Sequence, residues 1–323
     1  MNRLPKGVWG GTTLAVLAIL ALLPLILPSA TLATEIVIFA MAALACNLLL
    51  GYGGLLSFGQ GLFFGAGSYL ASLAMIHLGI GLIGALLVAA VSGAAIATAV
   101  GWLAIRRTGI YFVMLTLALA QMGYFLAYTL SEWTGGDNGL LDVPRPPLAV
   151  FGIELVRLDG AGGYYAFVAV LFLGVYVGAR RVIDSPFGST LVAIRENEAR
   201  ASAVGFDTRH FKMLAFTLSG AVTALAGALY AMLINYVPLD NVAMQMSETI
   251  VIMTVIGGTG SLLGSLLGAG ALVLLGEILS AIWPRWPLLL GVGLILLVIF
   301  LRRGLWGGVE SLIARHRRRE VAE

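Results

Sequence analysis

Residues 51 to 67 read GYGGLLSFGQGLFFGAG, which is seven glycines, four aromatics, one Ser, one Gln and no charge. The residues on either side are apolar, so the position is that of a membrane helix. Yet each glycine inside a helix costs about 1 kcal/mol relative to alanine. A chain that concentrates glycine there is breaking a helix, packing two helices closely, or doing both.

Composition places the stretch in a membrane. Of 323 residues, 60% are hydrophobic and 11% are charged, with a mean hydropathy of +0.99. A water-soluble domain carries roughly 25% charged residues. Apolar runs and their breaks predict spans at 11–28, 32–50, 56–78, 81–104, 110–130, 163–180, 212–235, 247–257, 262–282 and 287–301. The 247–257 run is short for a crossing and reads as a half-helix or re-entrant element. The fold class expected is therefore an all-α polytopic membrane protein, one transmembrane domain over 1–323, with about ten helices, some broken. The run from Thr12 to Leu27 follows Arg3 and Lys6 but lacks a convincing cleavage site, so it is expected to be a retained helix. Cys46 lies in an apolar run and is expected to be a small buried residue.

Charge orients the chain. Lys and Arg stay on the cytoplasmic side. With ten crossings and the N-terminus inside, 16 of the 19 basic residues fall inside, and only Arg145, Arg157 and Arg285 fall outside. Both termini are then cytoplasmic, the last in a basic tail at 302–323. All six tryptophans (9, 102, 133, 283, 286 and 306) fall near span ends, as amphipathic rings do. Two long loops remain, an outer one at 131–162 and a charged inner one at 181–211.

The motifs exclude several functions. No H-E-x-x-H, Cys/His metal spacing, G-x-S-x-G elbow or P-loop occurs, so neither an enzyme nor a resident metal is expected. The basic residues follow the bilayer and not a soluble face, so nucleic acid is not expected. Membrane lipid is. Ion coupling calls for acidic residues near the midplane. Glu35 and Glu248 fall close to predicted outer ends, where snorkelling accounts for them, and Glu277 lies about a turn deeper, against an outer cavity.

The glycine-rich stretch therefore has two readings. Asn47, Gly51, Gly53, Ser57 and Gln60, with Gly257 and Gly258 of the second run GGTGSLLGSLLGAG (257–270), are candidates for a substrate path. Close small-residue packing is the other reading, and both hold together without conflict. The inner loop has a helical period, with Leu191, Ile194, Ala201 and Val204 apolar and Arg195, Glu196, Glu198 and Arg200 charged. It predicts an ordered amphipathic helix in need of a docking partner.

Residues 184–231 closely resemble the cytoplasmic loop and following helix of the branched-chain amino-acid ABC transporter permeases, the LivM/LivH type. The pattern F-G-x-x-L-x-A-I-R-x-N-E, then A-x-x-x-G and K-x-x-A-F, is carried by Phe187, Gly188, Leu191, Ala193 to Arg195, Asn197, Glu198, Ala201, Gly205, Lys212, Ala215 and Phe216. NLLLGYGGLLSFGQGLFFGAGSY (47–69), TGGDNGL (134–140), VIGGTGSLLGSLLGA (255–269) and LRRGL (301–305) are similar too. Length and the long outer loop favour the LivM side.

The resemblance implies a type II-like ABC importer permease in the bacterial inner membrane. It implies a second, LivH-like permease subunit, ABC ATPase subunits that bind the ATP, and a periplasmic substrate-binding protein. It assigns ATPase coupling to Arg195, Glu196, Asn197, Glu198 and Gly205, and the binding-protein side to Thr134, Gly135, Gly136 and Asp137. Against the E-A-A-x-x-x-G pattern of such loops, Glu198 stands one residue early. The solute implied is a branched-chain or related amino acid. A urea or short-chain amide importer, or a self-sufficient carrier or channel, are the alternatives.

Overall fold

In hydrocarbon a backbone has no water to bond with, so each long apolar run closes its own hydrogen bonds as a helix. The computed structural model describes residues 11–150, 153–156, 160–282, 285, 288–289, 291–293, 295 and 304–308. Among them, seven helices are long and apolar enough to cross a membrane. These are α2 (Ala30–Asn47, prolonged by a π turn to Tyr52), α3 (Gln60–Leu78), α4 (Leu82–Ala104), α5 (Ile110–Thr129), α7 (Ala161–Ile183), α10 (Thr208–Ile234) and α12 (Leu262–Ile282). Two shorter apolar helices are α1 (Gly11–Ile26) and α11 (Met244–Gly257). Short α6 (Ser131–Thr134) follows α5, and α8 (Pro186–Glu196) and α9 (Glu198–Ala203) lie between α7 and α10.

The chain is an all-α polytopic membrane protein. Its one sheet among the described residues is a two-stranded antiparallel ribbon in the expected outer loop. There β1 (Leu148–Val150) pairs with β2 (Ile153–Val156). Of the expected span 287–301, only residues 288–289, 291–293 and 295 are described, all helical. Of the expected tail 302–323, only Gly304–Gly308 is described, and the first ten residues lie outside the description.

Helices α2, α3 and α10 form the centre, with α4, α7, α11 and α12 packed around them. Small residues let the backbones meet. A Cβ added at Gly67 would run into the Ala224 backbone, and one at Gly227 into the Phe64 carbonyl. Gly93 and Gly220 face one another where α4 crosses α10. Phe39, Phe64 and Tyr230 fill the space between the three central helices, their ring centroids 5.3–5.9 Å apart.

The predicted span 56–78 is not helical throughout. The π turn Leu48–Tyr52 ends α2, Gly54 takes φ +67°, and the chain runs on without regular structure until α3 starts at Gln60. The glycines here break a helix and also pack closely. Further along, Asn235 ends α10 at φ +55°, and residues 235–243 dip back into the bundle before α11 begins. Val237 pairs with Leu140, while Val242 lies against Gly65.

Candidate functional site: two glycine breaks under a charged loop

The two glycine-rich stretches meet, and Asn47 joins them. Its side-chain amide donates to the Ser261 carbonyl at 2.7 Å and to Ser265 Oγ at 3.0 Å. Its Oδ1 accepts from the Gly260 amide at 2.8 Å. Tyr52 adds a bond from its hydroxyl to the Gly260 carbonyl at 2.8 Å. Such satisfaction is what a fully buried amide needs in a low-dielectric interior. A Cβ on Gly51 would collide with both Asn47 Oδ1 and the Gly260 amide, so only glycine allows this approach. Gly257 meets the Gly264 backbone in the same way. Gly258, at φ +112°, turns the chain between α11 and α12.

The polar path candidates are equally committed inside the chain. Gln60 is fully buried. Its Nε2 donates to Ser219 Oγ at 3.1 Å, and its Oε1 accepts from Thr223 at 2.7 Å. Ser57 Oγ accepts from the Gly59 amide at 3.1 Å. Gly53 closes the π turn. Asn47, Gly51, Gly257 and Gly258 thus gather at one junction, while Ser57 and Gln60 lie farther along the break. A cavity of about 560 Å³ opens beside the junction, bordered by Tyr52, Tyr176, Arg180, Asp184, Gly260 and Trp306.

The charged loop sits against this junction. Arg195, at the end of α8, donates from one guanidinium nitrogen to the Gly51 carbonyl and from the other to Glu196 at 2.8 Å. Carbonyls at a π turn lack ordinary helical partners, and a cation favours that helix end. Gly54 leaves room for the Arg195 stem. This contact links positions 144 apart in sequence, and no spacing argument could have found it.

The loop is ordered as expected but is not one helix. Asn197 takes an extended conformation (φ −161°) and caps α9, accepting from the Arg200 amide at 2.9 Å. Capping by Asn is favourable at a helix start and breaks the one before it. Glu198 bonds to Lys212 and to Thr208, which ties α9 to the first turns of α10. Gly205, at φ +100°, turns the chain between them. Leu191, Ile194 and Ala201 are buried as their period predicted. Val204 is not: it is 73% exposed because it lies past the end of α9 at Ala203, where the chain turns away at Gly205.

At the opposite end of the bundle, TGGDNGL forms a tight turn. Thr134 Oγ1 donates to the Ala127 carbonyl at 2.6 Å, and Gly135, Gly136 and Gly139 all take positive φ. The turn docks on the dip through the Leu140–Val237 pair and Tyr236, whose hydroxyl donates to the Asn138 carbonyl at 2.9 Å. Thr134 and Gly136 are buried in this scaffold, Gly135 is half-buried, and Asp137 is exposed at the tip. Arg145 caps α10 from here, donating to the Met232 and Leu233 carbonyls at 2.9 and 2.7 Å.

One acidic residue is misplaced by sequence. Glu248 was expected at a span end. Its neighbour Ser247 donates to the Phe58 carbonyl at 2.7 Å and accepts from the Gly61 amide at 2.8 Å. The Phe58 amide donates to Thr116 of α5, and Leu62 lies against Gly123 of α5. Glu248 is therefore level with the middle of α5. The dip at 235–243 carried it there.

Comparison with known proteins agrees with the motifs. Residues 29–300 match the family model described as the branched-chain amino acid transport system permease component. The chain is 30% identical to the Escherichia coli (strain K12) high-affinity branched-chain amino acid transport system permease protein LivM, over 84% of this chain and 68% of that one. It is 29% identical to the Salmonella typhimurium protein of the same name, over 86% and 69%. The autoinducer 2 import system permease protein LsrC of an Enterobacter species is 30% identical over 66% of this chain and 60% of its own. No solved structure matches.

Proposed function

Because the chain belongs to the family of branched-chain amino acid transport permease components, we propose that it is the membrane subunit of an ATP-driven importer for branched-chain or related amino acids. It pairs with a second permease, receives solute from a periplasmic binding protein and is driven by cytoplasmic ATPases that bind the ATP. It lies in the inner membrane with both termini and α8–α9 in the cytoplasm, in accord with the 16-to-3 division of basic residues.

The observation that carries this reading is the Arg195–Gly51 contact. An ATPase pressing on α8 and α9 acts through Arg195 on the point where both glycine breaks meet. Interactions that differ between two states are what shift a conformational equilibrium. Here Arg195 supplies such an interaction, since movement of α8 makes or breaks its bond to Gly51. On this reading the binding protein docks at the opposite end, where Asp137 is exposed at the tip of the turn.

Two experiments test the proposal. Purification in mild detergent after cross-linking in the membrane recovers ATPase subunits and a second permease. Recovery of the chain alone, with gradient-driven uptake, refutes it in favour of a self-sufficient carrier. Excess leucine suppresses uptake, whereas urea and autoinducer 2 do not. Uptake insensitive to leucine refutes the amino-acid assignment.

A further inference from the structure

Outward faces of the peripheral helices differ in chemistry. On α7 the outward positions are Ala166, Val170, Gly174 and Gly178, and on α4 they include Ile83, Leu87, Val91 and Ala95. Both faces suit hydrocarbon. On α5 the core side is Phe112, Thr116 and Ala120, and Gln121 projects roughly 140° away from it at 100° per residue. Gln121 is exposed, stands in the middle of a 20-residue span, and makes no hydrogen bond among the described residues. Helix α11 packs beside α5. Its core side is Ser247, Ile250, Val251 and Thr254, while Gln245, exposed, and Glu248 and Thr249, half-buried, lie on the opposite side of the helix. Glu248 has no ion pair or hydrogen bond among the described residues, and Ser247 fixes its level at mid-span.

An amide and a carboxylate without partners at that depth are not stable against lipid tails. Gln60, at a comparable depth, has both ends of its amide bonded. We propose that Gln121 with Gln245, Glu248 and Thr249 is the solute-facing wall of a water-filled conduit, which the second permease closes. The proposal rests on the permease reading and moves the solute contacts away from the Asn47–Gln60 stretch, whose polar groups are already used within the chain. Outward positions Met114, Met122 and Phe125 on α5 give the same wall an apolar, adaptable part. The class of solute that fits both parts is a small zwitterion with an aliphatic side chain, its ammonium toward Glu248 and its polar groups toward the amides.

Accessibility of introduced cysteines tests this in the assembled transporter. Gln121→Cys and Thr249→Cys are made in a Cys46→Ala chain expressed with its partner subunits. Each is treated in spheroplasts with a membrane-impermeant cationic methanethiosulfonate. Leu87→Cys and Val170→Cys serve as lipid-facing references. Thiolate forms only where water reaches it, so the two wall positions react at least about tenfold faster than the references. Leucine slows their modification. Gln121→Leu lowers uptake, and Gln121→Asn restores it in part. If the Cys46→Ala chain imports leucine but both wall positions react no faster than the references, the wall assignment is overturned. If wall positions react fast and leucine protects them while ATPase inhibition leaves uptake intact, the wall stands and the ATP-driven reading is what fails.

Discussion

Replacing Asn47 by leucine separates a structural clamp from a solute contact. Leucine has the same branched outline but is larger, so the change adds some crowding and removes bonds of 2.7, 2.8 and 3.0 Å to Ser261, Gly260 and Ser265. Hydrogen bonds between membrane helices average about 0.6 kcal/mol, and those in proteins generally about 1 kcal/mol. Three of them amount to about 2–3 kcal/mol. Ser265 can turn back to the carbonyl four residues earlier, that of Ser261, and recover part of this. The Gly260 amide has no such substitute, and stranding it adds about 1 kcal/mol. The net is about 2–4 kcal/mol, a fall of roughly 3–6 °C in the melting point of a chain of 323 residues. Thermal unfolding of the purified chain, followed by intrinsic fluorescence, measures it. Asn47→Asp is expected to be at least as harmful, since it places a carboxylate against the Ser261 carbonyl. A melting point within 1–2 °C of the unsubstituted chain, with uptake lost, would refute the clamp. Asn47 would then touch solute.

Other outcomes follow from the same contacts. Arg195→Ala removes the bond to Gly51 and is expected to cut uptake and ATPase stimulation by an order of magnitude or more with insertion intact; Arg195→Lys, lacking the planar fork, recovers little of either. ATPase assays on reconstituted complexes decide it, and normal stimulation in Arg195→Ala removes the link. Gly67→Leu drives a side chain into the Ala224 backbone and is expected to prevent stable folding, seen as loss of a monodisperse chromatography peak. Arg145→Ala uncaps α10, costing about 1–2 kcal/mol and a few degrees of melting temperature. Glu198→Ala leaves the Lys212 ammonium, only 5% exposed, without its carboxylate. Faster proteolysis between α8 and α10 reports the loosened loop.

The spans show how much was legible. Helices at 82–104 and 110–129 fall within a residue of their predicted runs, because length and apolarity are properties of consecutive residues. Helix α10 begins at Thr208, four residues before its predicted start, since Asp207 caps it by accepting from the His210 amide. The start of α3 was misjudged by four residues because apolar Leu55, Leu56 and Phe58 continue the hydrophobic signal through a segment whose glycines forbid a helix. In the inner loop the period located the buried Leu191, Ile194 and Ala201, but α9 ends at Ala203 and the turn at Gly205 leaves Val204 exposed.

What the sequence determined alone was the number and length of the apolar runs, the places where glycine ends a helix, and the family. Each of these depends on neighbours along the chain: a run long enough to cross, or a residue able to take positive φ. Tertiary structure decided which polar side chains are used up and which remain open. Asn47 and Gln60 are satisfied by partners more than 150 residues away, whereas Gln121, on an outward face, is met by none among the described residues. Glu248 reached mid-span only because residues 235–243 fold inward. An uncharged amide in an apolar run looks the same in sequence whether it is bonded or bare, since the cost of leaving it unpaired is set by what packs against it.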